Sequence, residues 1–527
     1  MKFATAISLT LALAACGEDA GSPLLDLHDP QDDGTKTQAQ RPDTPGSVEL
    51  WSFEPDDVVE FFDSVGGDFR IHYTRQGVHS VPLADQDGSG VPDHVESVAA
   101  IYDDVLAHYV SMGFEEPLRD TVVTNGNGGD DRYDVYLVDF AFSADGSFRE
   151  EFCNSQGECT GYMAQENDFA GYNYPSVDYA NTLLAAHEFF HFVQAGYNSE
   201  QNAVYGEGTA TWASGTFDPV LEDVARFSEY YLEQPQQALD VPIPGPANPF
   251  SYGASIFFRF LEEHLNDQSV VVDIVAMTRE GSLGVAQPDW FVDALPAALA
   301  ERGTDFASEF KVFATWNLYT GTRADPTIAY AEGAEYGLVA MENISLPYSD
   351  EQIRMFRAST RYYSAQPGAR TEVTAALVVE DDESATLAPL TLYITTLSSA
   401  GVGEIIELDR EAGTTTIDAT GVTRVVAFVV NSLNTGDSIR PGLCVGDVDE
   451  VAACRAALLG GDGDGDGDGD GDAGVVDAGD GDGDGDGDGD GDGDDDPGDG
   501  CTCQSSPLDA STWALGLALL ALRRRRR

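Results

Sequence analysis

The stretch NTLLAAHEFFHFVQAGY, residues 181–197, decides how the rest of the chain is read. It has no Gly or Pro before Gly196 and is apolar almost all the way round, which predicts one buried helix that stops near that glycine. His187 and His191 stand four residues apart. On a helix that spacing puts both imidazoles on one face, a turn apart, where two neutral ring nitrogens can hold a single Zn2+. Glu188 lies beside them, within reach of a water at such an ion. The competing reading makes the histidines satisfied core residues and Glu188 part of a solvated face.

A third ligand separates the two readings. Metzincins require Gly at position 194 and His at position 197, but this chain has Gln194 and Tyr197. That leaves a downstream glutamate. Glu207 fits: it sits in YGEGTATW (residues 205–212), a second expected helix, 16 residues after His191, which is far enough for a loop and an antiparallel return. With HEFFH followed by EGTA, the chain resembles the gluzincin class of zinc peptidases, in particular secreted bacterial metallopeptidases, over roughly residues 70–330. The resemblance implies an α+β zincin-like domain, with a mixed sheet, an active-site helix and a helical second lobe. It implies zinc held by His187, His191 and Glu207, and Glu188 as general base in peptide hydrolysis. Three protein ligands leave the ion's fourth position to water, whose pKa falls toward 7, and Glu188 takes the proton and passes it to the leaving amine. Thr211 stands where many gluzincins carry an Asp four residues after the ligand glutamate, which leaves the partner of the zinc histidines unassigned. Tyr252 and His264 are the candidates for stabilising the oxyanion. Residues 161–164 are expected to be the edge strand along which an extended peptide pairs.

A second metal signature lies upstream. Asp85, Asp87, Ser89, Val91, Asp93 and Glu96 occupy positions 1, 3, 5, 7, 9 and 12 of an EF-hand-like loop, with Gly90 at the sharp turn of position 6. Pro92 and the strand-like lead-in at residues 69–73 depart from a paired EF-hand, so a lone Ca2+ loop running into a helix is expected; an Asp-Gly turn that binds nothing is the alternative.

Outward from these motifs the texture is mixed α and β. YDVYLVDF (residues 133–140) alternates as a strand does, whereas residues 96–112 place Val98, Ile101, Tyr102, Val105 and Tyr109 at helical spacing. Helical spacing returns in residues 255–265 and 306–316. Beyond residue 368 short apolar runs (373–379, 390–397, 403–408, 422–430) between Gly, Asp and Ser suggest a small β-sandwich. The expected organisation is a signal peptide (1–15), a disordered spacer (16–48), a metallopeptidase domain (49–345), a β-sandwich-like domain (346–459), a Gly-Asp linker (460–500) and a C-terminal sorting signal (501–527).

Composition and the two ends bear on location. In 527 residues, 27 Lys and Arg face 92 Asp and Glu, for a formal charge of −65. Nucleic acid and anionic membrane surfaces repel such a chain, so nucleic-acid partners are excluded and a protein or peptide substrate is expected. The body stays strongly acidic after the Asp-rich tail is set aside, as suits an exported protein in saline or calcium-rich surroundings. The apolar run at residues 3–14 is shorter than the roughly 20 residues a membrane span needs, and reads as a signal peptide. Its end, LAACG, resembles a bacterial lipobox, which implies lipidation of Cys16; cleavage after Ala15 without lipidation is the alternative. At the other end CTC, an apolar segment and five arginines resemble the tripartite sorting tails of myxobacterial surface proteins. Contact with the membrane is thus expected only through a lipid anchor or this tail. The Gly-Asp tract repels itself and buries nothing, as an extended tether does; a calcium-binding repeat would interleave apolar residues that it lacks. Of seven cysteines, Cys153 with Cys159 and Cys444 with Cys454 form close pairs expected as local disulfides. The functional expectation is a cell-surface or secreted zinc endopeptidase with Zn2+ and structural Ca2+. Its rival is a catalytically silent, calcium-stabilised adhesion protein on the same scaffold.

Overall fold

The computed structural model describes residues 40–45, 47, 51–123, 128–243, 249–379, 389–436 and 438–460. The signal peptide, Cys16, nearly all of the spacer, the linker and the sorting signal lie outside them. The fold is mixed α and β.

Five strands make the first sheet: β1 (Val59–Asp63), β2 (Phe69–Thr74), β3 (Tyr133–Val138), β4 (Gly146–Cys153) and β5 (Cys159–Glu166), in the order β1-β2-β3-β5-β4. β2, β3 and β5 run parallel, while β1 and β4 are antiparallel edges. β2, β3 and β5 are buried along their whole length, so that polar side chains such as His72, Asp134 and Gln165 are buried with the apolar ones. Residues 161–164, expected as the edge strand, belong instead to β5, which is paired on both sides, and the outer strand is β4. A Cβ on Gly161 would fall 1.8 Å from the Arg149 carbonyl, so only glycine lets β4 come this close.

Helices α1 (Asp93–Met112) and α2 (Val177–Ala195) cover the sheet. The run HEFFHF distributes its side chains around α2. Phe189 and Phe192 settle on the sheet aromatics, with ring centroids 5.2 Å from Phe69 and Tyr133 respectively. Phe190 turns to Tyr109 and Phe114, at 5.2 and 5.1 Å. The two histidines are left facing α3 (Ala203–Phe217). Ser176 caps α2 by accepting from Tyr179 N–H, and Asn202 caps α3 by accepting from Val204 and Tyr205 N–H. Gly196 ends α2 as the sequence predicts, in a right-handed conformation. A Cβ there would lie 3.2 Å from the Val193 carbonyl and 3.5 Å from Pro117. Next come α4 (Asp223–Leu232), the short α5 (Phe250–Gly253) and α6 (Ser255–Leu265), followed by further helices that include Ser269–Met277 and Phe306–Trp316.

From Glu342 the chain builds two more sheets. Strands Glu372–Val378, Leu390–Ser398 and Arg424–Asn431 match three of the apolar runs, while residues 403–408 hold only the two-residue strand Ile406–Glu407. The two sheets share a core of Val373, Leu377, Leu392, Ile394, Val429 and Leu443. The reverse face of one of them packs on the helices, where Tyr362 Oη donates to the Ala314 carbonyl at 2.6 Å. Disulfides join Cys153 to Cys159 across the β4–β5 hairpin and Cys444 to Cys454 between strand Gly442–Gly446 and helix Val448–Leu459.

Candidate metal centre

Both histidines of α2 and the glutamate of α3 converge. His187 Nε2 lies 3.2 Å from Glu207 Oε2 and 3.1 Å from His191 Nε2, and His191 Nε2 lies 3.5 Å from Glu207 Oε2. Three donor atoms from two helices thus point at one another from a distance at which a single cation fits among them. His187 and Glu207 are buried and His191 partly so; burial lowers the His187 pKa and keeps that ring in the neutral form that donates a lone pair. Burial by itself would raise the Glu207 carboxyl, but His191 and His187 beside it hold it below the usual carboxylate range. Two imidazoles and one carboxylate suit a divalent ion of intermediate softness.

The far side of His191 is held by Gln194. His191 Nδ1 and Gln194 Oε1 are 2.9 Å apart, and the Gln194 amide donates to the Gly206 carbonyl at 2.8 Å and to Thr209 Oγ1 at 2.6 Å. The amide oxygen therefore selects the tautomer with the proton on Nδ1 and leaves Nε2 bare toward the cluster. Thr211 does not fill the place that an aspartate would take there; its hydroxyl is buried in α3 with no hydrogen-bond partner among the described residues. Gln194 lies three residues beyond His191, one turn along the same face, and that spacing was the signal from which its role could have been read.

A cleft opens beside the cluster, lined by His187 and Glu188 together with Asp145, Tyr174, Leu183, Leu184, Asp223, Arg226, Phe227 and Tyr252. Glu188 sits against the start of β4, where a Cβ on Gly146 would come 2.9 Å from its Cγ. Glycine at 146 makes room for that carboxylate. Tyr252 stacks on His187, with centroids 5.8 Å apart and 13° between the rings. His264 is elsewhere: it stacks on Phe260 and faces Glu309 at 3.4 Å. Asp145, Tyr174, Asp223 and Arg226 come from segments with no motif, and only the tertiary fold brings them to the cleft.

In the upstream loop Asp85, Asp87 and Asp93 bring carboxylate oxygens within 4.8 Å of one another, and Glu96 does not join them. Asp85 Oδ1 accepts from Gly88 and Ser89 N–H, and Gly90 takes φ +89°, the left-handed turn that position 6 requires. Ser89 Oγ donates to the Val91 carbonyl at 3.3 Å. A third group, Glu150 with Cys153 and Cys159, has its thiols in a disulfide. No known protein family matches the chain, and no curated protein matches it.

Proposed function

We propose that the cleft is the active site of a zinc-dependent endopeptidase of the gluzincin type on a zincin-like fold, acting on protein or peptide substrates at the cell surface or outside the cell. The observation that carries this reading is the mutual approach of His187, His191 and Glu207 beside a cleft that Glu188 lines. A bound Zn2+ would polarise the scissile carbonyl and make water a nucleophile near neutral pH. The remaining work falls to the chain. Glu188 accepts the proton of the attacking water and returns it to the leaving amine. Tyr252, stacked on His187, offers a hydroxyl to the carbonyl oxygen as it gains charge. The outer edge of β4, the last strand of the sheet among the described residues, whose first residue Gly146 lies against Glu188, accepts an extended peptide as a sixth strand.

On the same reading Asp85, Asp87 and Asp93, with Ser89 and Val91, bind Ca2+ that braces the entry to α1. Two disulfides favour an oxidising compartment, in line with export, lipidation at Cys16 and surface display through the sorting tail. The test is metal analysis together with Glu188→Gln. The variant is expected to keep one zinc per chain and lose about 10²–10⁴-fold in turnover. A zinc-replete protein that cleaves nothing in a broad peptide library would overturn the enzyme and leave the adhesion reading.

A further inference from the structure

The cleft holds charged groups that peptide hydrolysis as described does not use. Asp145 lies just before β4, and Tyr174 Oη donates to its Oδ2. Asp223 opens α4; it is 3% exposed, and its Oδ1 has no hydrogen-bond partner among the described residues. Arg226, one turn further along α4, lines the same cleft; burial favours the protonated form of both carboxyls, and this guanidinium opposes it. Two buried acids thus face the cleft with one guanidinium beside them. A buried carboxylate oxygen left without a donor is unfavourable, and a second cation entering the cleft supplies that donor. The walls are Leu183, Leu184 and Phe227. Apolar walls leading to carboxylates match the build of a long basic side chain, whose methylene stem packs against hydrocarbon while its head finds the charge.

We propose that this cleft selects a substrate group bearing a positive charge, a lysine or arginine side chain or the N-terminal ammonium of a peptide, with Asp223 as its main acceptor and Asp145 as the second. The inference rests on the peptidase reading for what is cleaved, but not for the binding of the cation.

The test has two arms on the full zinc-loaded chain. In the first, n-butylguanidinium, which does not ligate metals, and n-pentanol as its neutral counterpart are titrated by ligand-observed NMR. The guanidinium is expected to bind at least tenfold more tightly, and Asp223→Asn to remove that difference. In the second arm, peptides that differ only by lysine or norleucine are compared, free and N-acetylated. A tenfold or larger kcat/KM preference for lysine that survives acetylation identifies the side chain; a preference for the free N-terminus that acetylation removes identifies the ammonium. Either preference should fall to within about threefold of parity in Asp223→Asn. Asp145→Asn, expected to give a partial loss, serves if the first variant does not fold. Equal binding of guanidinium and alcohol, or equal cleavage across all four peptides, overturns the proposal. Tight guanidinium binding without cleavage of any peptide sinks the peptidase reading and leaves the cation site standing.

Discussion

His191 Nδ1 and Gln194 Oε1 are 2.9 Å apart, so the side chain that orients the second imidazole belongs to the same helix, one turn on. The same amide reaches across to Gly206 and Thr209, on either side of Glu207, so one residue ties the two helices that carry the donors. Replacing it separates its two jobs. Gln194→Leu removes both and is expected to weaken zinc binding about 10–100-fold in a chelator competition. Gln194→Glu keeps an acceptor for Nδ1–H but cannot donate to α3. Retained affinity in the Glu variant assigns the effect to ring orientation. An equal loss in both variants would show that the tie to α3 is what matters.

Arg41 is buried among carboxylates contributed by distant parts of the chain. It pairs with Asp120 at 2.8 Å, with Glu151 at 2.6 Å and with Asp134, which also holds His72 Nε2 at 2.6 Å. Removing one partner of a buried ionic network leaves the others uncompensated, at a cost of about 3–5 kcal/mol. Arg41→Met should therefore lower stability by that order in urea unfolding, and by less at pH 5 than at pH 8, because protonation spares Asp120, which burial already pushes up to about 7. A loss below about 1 kcal/mol would mean that the N-terminal segment adds little to the fold.

The local parts of this architecture were legible and the non-local parts were not. HEFFHF, Glu207, the helix stop at Gly196 and both cysteine pairs depend on spacing within a few turns of chain, and the structure brings each set together. Strand order carries no such local signature. β4 and β5 read alike as sequence, and only the pairing of β5 with β3 assigns the edge to β4. Strands of only three residues, such as Glu342–Ile344 and Tyr348–Asp350, are too short for the alternation that marks a strand in sequence, and the first of them precedes residue 346. Asp145 and Asp223 are 78 residues apart, and their meeting is a product of the whole fold.

Asp223 gives stability a pH dependence with a definite sign. Burial pushes its carboxyl from an ordinary value of 3.8 up to about 7. Between those values the folded chain holds a proton that the unfolded chain has released, so this group's contribution is fully present below about pH 4 and is lost as pH rises through 7. The loss at pH 8 is on the order of 4 kcal/mol. Asp223→Asn, a neutral isostere, should raise the melting temperature at pH 8 and leave it nearly unchanged at pH 4. A lower melting temperature at both values would show the carboxyl to be needed for packing.

Asp85, Asp87 and Asp93 already face a common point, and Asp85 is held in place by the amides of Gly88, Ser89 and Gly90. A cation bound only by the folded loop stabilises the chain by RT ln(1 + [L]/Kd), about 2.7 kcal/mol at a hundredfold excess over Kd. Millimolar Ca2+ should therefore raise the melting temperature of the wild-type chain. Asp87→Ala should abolish that rise with little effect in chelator, because Asp87 is exposed and its carboxyl interacts within the loop itself, with Ser89 and Asp85. Mg2+ should substitute poorly, since it demands tighter octahedral geometry than carboxylates spaced by up to 4.8 Å offer. An equal rise with Mg2+, or a calcium response that survives Asp87→Ala, would reassign the effect to general screening of a chain whose formal charge is −65.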